Sequence, residues 1–287
     1  MQKTFLSVLL FAVIVSAFPQ NDSLTILTWN IYMRPRQVFW NQQVKRAKGI
    51  VEVLKNENID VIVFQEAFDP KARRKLKKEL SEMYPHQFGP GNRGMVRINS
   101  GIWVLSKYPL LQTKQMVYSD CGREDCIAKK SAMFSEIDFN GKKVQVIGTH
   151  LQAISGEKYD NIRANQMKMM AELGNEFFNE SIPQIFTGDM NTATADTAKY
   201  RNMLRILNAK DGMPQGNIQH SLRGQENDIS RKPVNYGPKL IDFVFLKPNK
   251  SSAKVISREV MRYRYEMKKG RSDLSDHYAV KAVLFLE

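Results

Sequence analysis

An α/β fold is the class this sequence predicts, on three observations. Helix-period stretches lead into short apolar runs: 41–56 into 59–64, and 160–178 into 185–191. The 43% hydrophobic content is enough for a substantial core. No internal repeat and no linker divides the 287 residues, so 18–287 reads as a single domain.

Residues 1–17 carry a secretory signal pattern: Lys3 at the positive end, an almost wholly apolar 5–15, and Val15-Ser16-Ala17 as the small-residue cleavage site. The apolar run is too short for a membrane span. The mature protein is therefore expected to be soluble and secreted, or periplasmic. Residues 24–30 form a strand-like run that ends in Asn30, a poor strand residue that either turns the chain or offers its amide to a site. Val44, Ala47, Ile50, Val51 and Leu54 set a helix over 41–56. The strand at 59–64 runs out into Gln65-Glu66, a carboxylate that must reach solvent or meet a cation. Residues 70–83 predict a helix with a narrow apolar stripe (Leu76, Leu80, Met83) among Lys71, Arg73, Arg74, Lys75, Lys77 and Lys78.

A strand at 100–105 is closed by Ser106-Lys107-Tyr108-Pro109. Strands at 132–138 and 143–149 flank Asn140-Gly141, a hairpin signal, and the second runs into His150. Asp160 caps a helix through Phe178 with Met167, Met170, Leu173 and Phe177 inward. Then comes Ile185-Phe186-Thr187-Gly188-Asp189-Met190-Asn191, a buried strand that ends in a turn. If extended geometry persists, Asp189 and Asn191 leave on one side, as a hard cation or a polarised water would require; the alternative is a turn in which both cap their own backbone. A helix at 197–208 and an irregular loop at 209–238 follow. Residues 240–245 place Asp242 within a strand, where it needs a partner, most naturally a histidine. Residues 260–267 alternate as one strand, with Met261, Tyr263, Tyr265 and Met267 on its apolar face. The basic turn Lys268-Lys269-Gly270-Arg271 comes next, and Ser275-Asp276-His277 opens a closing strand over 278–286.

A formal charge of +14 favours a polyanionic partner: nucleic acid, an anionic membrane or a phosphate-bearing substrate. The two cysteines, Cys121 and Cys126, read in an exported protein as one small disulfide loop.

Taken together, Asn30, Glu66, His150, Asp189, Asn191, Asp242, Asp276 and His277 put polar groups at successive strand ends. Their order, through Thr28-Trp29-Asn30, Phe64-Gln65-Glu66, Gly148-Thr149-His150, Gly188-Asp189-Met190-Asn191, Ile241-Asp242-Phe243 and Ser275-Asp276-His277, resembles the deoxyribonuclease I-like metal-dependent phosphodiesterase superfamily. Within it, Asn30-Ile31-Tyr32-Met33, Gly148-Thr149-His150-Leu151-Gln152-Ala153, and Ser106-Lys107-Tyr108-Pro109 with the Cys121-Gly122 loop are similar to the secreted bacterial sphingomyelinases C.

The resemblance implies a four-layer α/β sandwich, two packed sheets with helices outside. It implies hydrolysis of sphingomyelin to ceramide and phosphocholine with Mg²⁺, as one or two divalent cations for which Co²⁺ or Mn²⁺ can substitute. Glu66 and Asn30 are expected to hold the metal, with Asp189 and Asn191 positioning the attacking water or a second cation. His277 is the expected general base, oriented by Asp242, and itself stands among the groups near a metal. His150 is expected to donate to the phosphoryl oxygen. Asp276 is left between metal ligand and orienter of His277. The family's membrane-inserting hairpin is rich in Trp and Phe; the corresponding 260–271 has neither, and Tyr263 and Tyr265 are the expected replacements at a sphingomyelin-containing membrane. A monomer with no nucleic-acid partner is expected. The rival readings are a secreted nuclease on the same scaffold and a non-catalytic membrane-binding module.

Overall fold

The computed structural model describes residues 22–91, 98–222, 226–230, 237–267 and 270–286. The signal segment 1–17 and Lys268 and Lys269 of the basic turn lie outside the described residues. The first part of the chain carries β1 (Ser23–Asn30), α1 (Gln43–Lys55), β2 (Val61–Gln65), α2 (Pro70–Leu80), β3 (His86–Phe88) and β4 (Trp103–Ser106). The middle carries β5 (Leu110–Val117), a 3-10 turn (Arg123–Cys126), β6 (Ser131–Phe139), β7 (Lys142–His150), α3 (Glu157–Glu176), β8 (Gln184–Asp189) and α4 (Thr197–Leu207). The rest carries β9 (Lys210–Asp211), β10 (Pro214–Gln215), β11 (Asp242–Lys247), β12 (Lys254–Met261), β13 (Arg264–Met267), β14 (Gly270–Asp273) and β15 (Ala279–Phe285).

The strands form a seven-stranded sheet in the order β10-β12-β15-β1-β2-β4-β3 and a six-stranded sheet in the order β5-β6-β7-β8-β11-β9. β13 and β14 make a separate hairpin. The parallel pairs β1–β2 and β7–β8 are each bridged by a helix, α1 and α3, as parallel neighbours require. Alternation along β1 sends Ile26 between the sheets and Leu27 and Trp29 to the outer face, where α1 contributes Ala47, Ile50 and Leu54, and α2 Ala72, Leu76 and Leu80. On the far side of the second sheet, α3 lays Met167, Met170 and Leu173 against the core that holds Phe186. Two sheets inside and helices outside give the expected four-layer, deoxyribonuclease I-like sandwich. Among the described residues no helix is long and apolar enough to cross a membrane.

Helix starts follow local chemistry. Asp69 Oδ1 accepts from the backbone N–H groups of Lys71 and Ala72 at 3.1 and 2.9 Å, with Pro70 opening α2; such a cap contributes about 1 kcal/mol. The Asp196 side chain caps α4. Asp160 does not cap α3, which starts earlier, at Glu157; its carboxylate pairs instead with Arg163 and Lys199.

Residues 260–267 are not one strand. β12 ends at Met261, because Arg262 turns back to grip Asp273 through two hydrogen bonds of 2.8 and 2.9 Å, and β13 starts at Arg264. The turn directs the expected membrane pair inward. Tyr263 lies 5.2 Å, ring to ring, from the buried Trp29, and Tyr265 packs on Gly49 of α1. Both side chains are partly buried and pack against the outer core of the first sheet.

Candidate active site

Strand register assembles the site. On three neighbouring strands of the second sheet, His150 lies opposite Asp189, and Asp189 opposite Asp242. Residues in register on adjacent strands project from the same face, so the two carboxylates and the imidazole form one row. In the first sheet Asn30 pairs with Gln65, which sets Glu66 one residue past the end of β2. Asp242 is the first residue of β11 rather than a mid-strand residue, and it is fully buried there.

Close packing makes the row possible. A Cβ on Gly188 would sit 2.0 Å from the Thr149 carbonyl oxygen, and its φ of 138° suits glycine. A Cβ on Gly148 would sit 2.6 Å from Val63 of the facing sheet. Gly188 thus allows close approach of β7 and β8 within one sheet, and Gly148 close approach of the facing sheet, both beside the strand ends that carry the polar groups.

Asp189 Oδ2 is the hub of the cluster. Asn30 Nδ2 donates to it at 3.1 Å, His150 Nε2 lies at 3.4 Å and His277 Nε2 at 3.8 Å. The same Asn30 nitrogen donates to Glu66 Oε1 at 3.2 Å, while the Asn30 oxygen accepts from the Tyr32 backbone N–H at 3.1 Å. Asn30 thus joins the two sheets and presents its nitrogen, not the expected oxygen, to the carboxylates. Asn191 departs similarly. Extended geometry stops at Asp189, and Asn191 takes a left-handed φ of 48°. Its backbone N–H donates to Asp189 Oδ1 at 3.0 Å and its Nδ2 to the Leu151 carbonyl at 3.0 Å, so it fastens the turn as an Asx residue does.

His277 Nδ1 lies 2.9 Å from Asp242 Oδ2. The expected partner of the buried carboxylate is therefore this imidazole. The His277 backbone is fixed on both sides: its carbonyl accepts from Trp29 Nε1 at 3.0 Å and its N–H donates to Ser275 Oγ at 3.2 Å. Ser275 Oγ in turn donates to the Asn30 carbonyl at 2.5 Å.

The chain from residue 27 to residue 277 matches the Endonuclease/Exonuclease/phosphatase family. This protein belongs to that family. It is 31% identical to a phospholipase C of Staphylococcus aureus over 91% of this chain and 87% of that protein. It is 26% identical to a sphingomyelinase C of Listeria ivanovii over 92% of this chain and 86% of that one. Among solved structures, a beta toxin variant of Staphylococcus aureus with bound magnesium ions aligns with a TM-score of 0.79 and 26% identity, over 91% of this chain and 99% of that chain.

The electrostatics of this family member separate its charged groups. Burial, then the Asp276 carboxylate, pushes Glu66 up to about 7. Burial, then Asp242, pushes Asp189 up to about 6. Burial alone would lower His277, but Asp242 and Asp189 outweigh it and raise the imidazole to about 10. His150 goes the other way: burial, Lys130 and His277 all hold it well below the ordinary histidine value. His150 is therefore a neutral imidazole at neutral pH.

The donor set can be tested for a hard divalent cation. Asp189, Asp242 and His277 bring potential ligand atoms within 4.8 Å of one another. Yet Asp242 already holds His277 through Oδ2, with only its Oδ1 left without a partner, and both Asp189 oxygens already accept hydrogen bonds. Glu66 fits better. Its Oε2 is buried without a hydrogen-bond partner, the neighbouring Asp276 adds a second negative charge, and the residue is held at a left-handed φ of 54° at the strand end. A buried carboxylate oxygen left without a donor calls for a cation. The oxygen chemistry suits an ion such as Mg²⁺ that keeps several waters.

The sequence offered no hint of Lys130 and Arg46. Lys130 is buried and donates to the Leu151 carbonyl at 2.6 Å, 3.1 Å from Asp125. Arg46 of α1 is buried too, donating to the carbonyls of Ile31 and Leu274 at 2.9 and 2.7 Å, which ties the segment after Asn30 to the one before Ser275. Among 43 lysines and arginines neither stands out by type or spacing. Cys121 and Cys126 form the expected disulfide. Beside it, Asp125 accepts from the Ala153 backbone N–H at 2.7 Å, so the loop braces the segment that follows His150.

Proposed function

We propose that this protein is an exported sphingomyelin phosphodiesterase that releases phosphocholine and leaves ceramide, with Mg²⁺ as its cation. The observation that carries the reading is the pairing, in one cluster, of a partnerless buried Glu66 oxygen with a His277–Asp242 dyad. The relatives' names, phospholipase C and sphingomyelinase C, supply the substrate class.

A divalent cation, when bound, neutralises a phosphate oxygen and the leaving alkoxide. Glu66 and Asp276 would hold it, and Asn30 keeps Glu66 and Asp189 at a fixed separation. His277 presents Nε2 to the cluster because Nδ1 faces Asp242. Positive charge near this imidazole, from a cation held by Glu66 and Asp276, would lower its raised proton affinity, so that Nε2 could take the proton of the attacking water. Asp189 orients that water. His150, neutral and next to Asp189, donates a hydrogen bond where charge builds on the phosphoryl oxygen.

The protein is read as acting alone, as a monomer, at a sphingomyelin-containing membrane after loss of residues 1–17, with no nucleic-acid partner. The test is phosphocholine release from sphingomyelin vesicles with Mg²⁺ and with EDTA, beside plasmid DNA in the same tubes. Metal-dependent release with intact DNA supports the reading. Nicked DNA beside untouched lipid would move the protein to the nuclease branch of the family.

A further inference from the structure

Large apolar side chains exposed on the described surface stand singly, as Leu111, Ile127 and Met213 do, with one exception. Val38, Phe39 and Trp40 are consecutive and 73, 42 and 70% exposed. A contiguous exposed apolar tip marks an interaction site where isolated residues do not.

The tip is held out rather than left loose. The N–H groups of Val38 and Phe39 both donate to the Pro35 carbonyl, at 3.1 and 2.9 Å. Gln43 clamps the loop from below, donating to the carbonyls of Arg34 and Phe39. Arg36 is paired with Asp69 at 2.8 Å, and Arg46 Nε donates to the Asn41 carbonyl at 3.0 Å. A loop fastened at both ends presents its side chains without ordering cost on binding. It also starts at the active site: Met33 N–H donates to the carbonyl of Glu66 at 3.1 Å.

The surroundings are basic. Trp40 lines a cavity of about 450 Å³ together with Lys45 and Lys48 of α1 and Lys71 and Lys75 of α2. An apolar tip ringed by lysines matches the boundary of an anionic bilayer, where an indole sits at headgroup level and ammonium groups meet phosphate. Aromatic and basic groups also meet single-stranded nucleic acid, but Val38 at the most exposed position offers no stacking face.

We propose that Val38, Phe39 and Trp40, with Lys45, Lys48, Lys71 and Lys75 around them, dock this protein on bilayers that carry anionic lipid. The proposal rests on the membrane substrate proposed above and moves the lipid contact from Tyr263 and Tyr265 to this loop.

The chain has three tryptophans, and Trp29 and Trp103 are buried, so emission reports environment changes at Trp40. The experiment titrates the protein, in EDTA, with phosphatidylcholine vesicles containing phosphatidylglycerol and no sphingomyelin. A blue shift, and quenching by brominated lipid, are expected. Lys48→Gln and Lys71→Gln should each weaken partitioning about five-fold, less so at high salt. Val38→Asp should weaken it at least about ten-fold while leaving turnover on detergent-dispersed sphingomyelin unchanged. Unchanged emission on vesicles, wild-type partitioning of Val38→Asp, or a shift seen only with a single-stranded oligonucleotide would overturn the proposal. Lipid hydrolysis without the shift would sink the docking loop alone. The shift without hydrolysis would sink the proposed activity and leave the loop standing.

Discussion

Asp242 and His277, 35 residues apart in sequence, meet through a 2.9 Å contact between Oδ2 and Nδ1 with both side chains buried. The carboxylate fixes which imidazole nitrogen faces the cluster and raises the imidazole's proton affinity. Asp242→Asn should therefore lower the His277 pKa from about 10 in the metal-free protein, read by NMR titration of the imidazole. It should also cut turnover by about 10²–10⁴-fold by freeing the wrong tautomer. An unchanged His277 titration in this variant would contradict the role of Asp242.

Glu66 offers a prediction in which stability and activity separate. Its raised pKa means that the folded protein disfavours the charged form. Glu66→Gln should leave the metal-free melting temperature at pH 8 equal to or above that of the wild type. The same change should remove the stabilisation gained from Mg²⁺ and most of the turnover. A large loss of metal-free stability would mean that Glu66 has a structural partner not accounted for.

The pH dependence follows from the same groups. Glu66 near 7 and Asp189 near 6 lie above ordinary carboxylate values, so the stability they contribute is fully present below those ordinary values and lost as pH rises through about 6 to 7. His277 is also raised, so its contribution is present below about 6.5 and is lost as pH rises through about 10. A cation requires ionised Glu66, so its binding competes with that proton. The rise in melting temperature produced by Mg²⁺ should be small at pH 5.5 and larger at pH 8.5. Equal shifts at both values would place the cation elsewhere.

Gly188→Ala tests the close approach behind the row of polar strand ends. With backbone oxygen 2.0 Å from the added carbon, neither β7 nor β8 can yield without breaking register. A loss of about 3 kcal/mol or more is expected in denaturant unfolding. A loss below about 1 kcal/mol would show that the strands part easily there.

Much of this was legible in the chain. Apolar runs that end in Asn30, Glu66, His150 and Asp189 mark strand ends, their short length and β-branched content separating them from the helix-period stretches. Register was not legible: nothing local says that Asp189 sits between His150 and Asp242, because pairing is a long-range property of the sheet. Asn30 and Asn191 stand out as site residues in the chain, but the direction each amide takes is not legible there, since it depends on its neighbours. Alternation over 260–267 identifies an apolar face but does not say how much of Tyr263 and Tyr265 packs on the core, which the turn at Arg262 decides. Val38, Phe39 and Trp40 fall where no period is set, and their exposure is visible only once Gln43 and Arg46 are seen to hold the loop open.

The central claim is that His277 accepts the proton of the attacking water. The direct test is turnover of His277→Ala on sphingomyelin vesicles at saturating Mg²⁺, with vesicle binding and melting temperature measured on the same preparation. The account predicts a loss of about 10²–10⁴-fold with binding retained. Turnover within a few-fold of the wild type would contradict it.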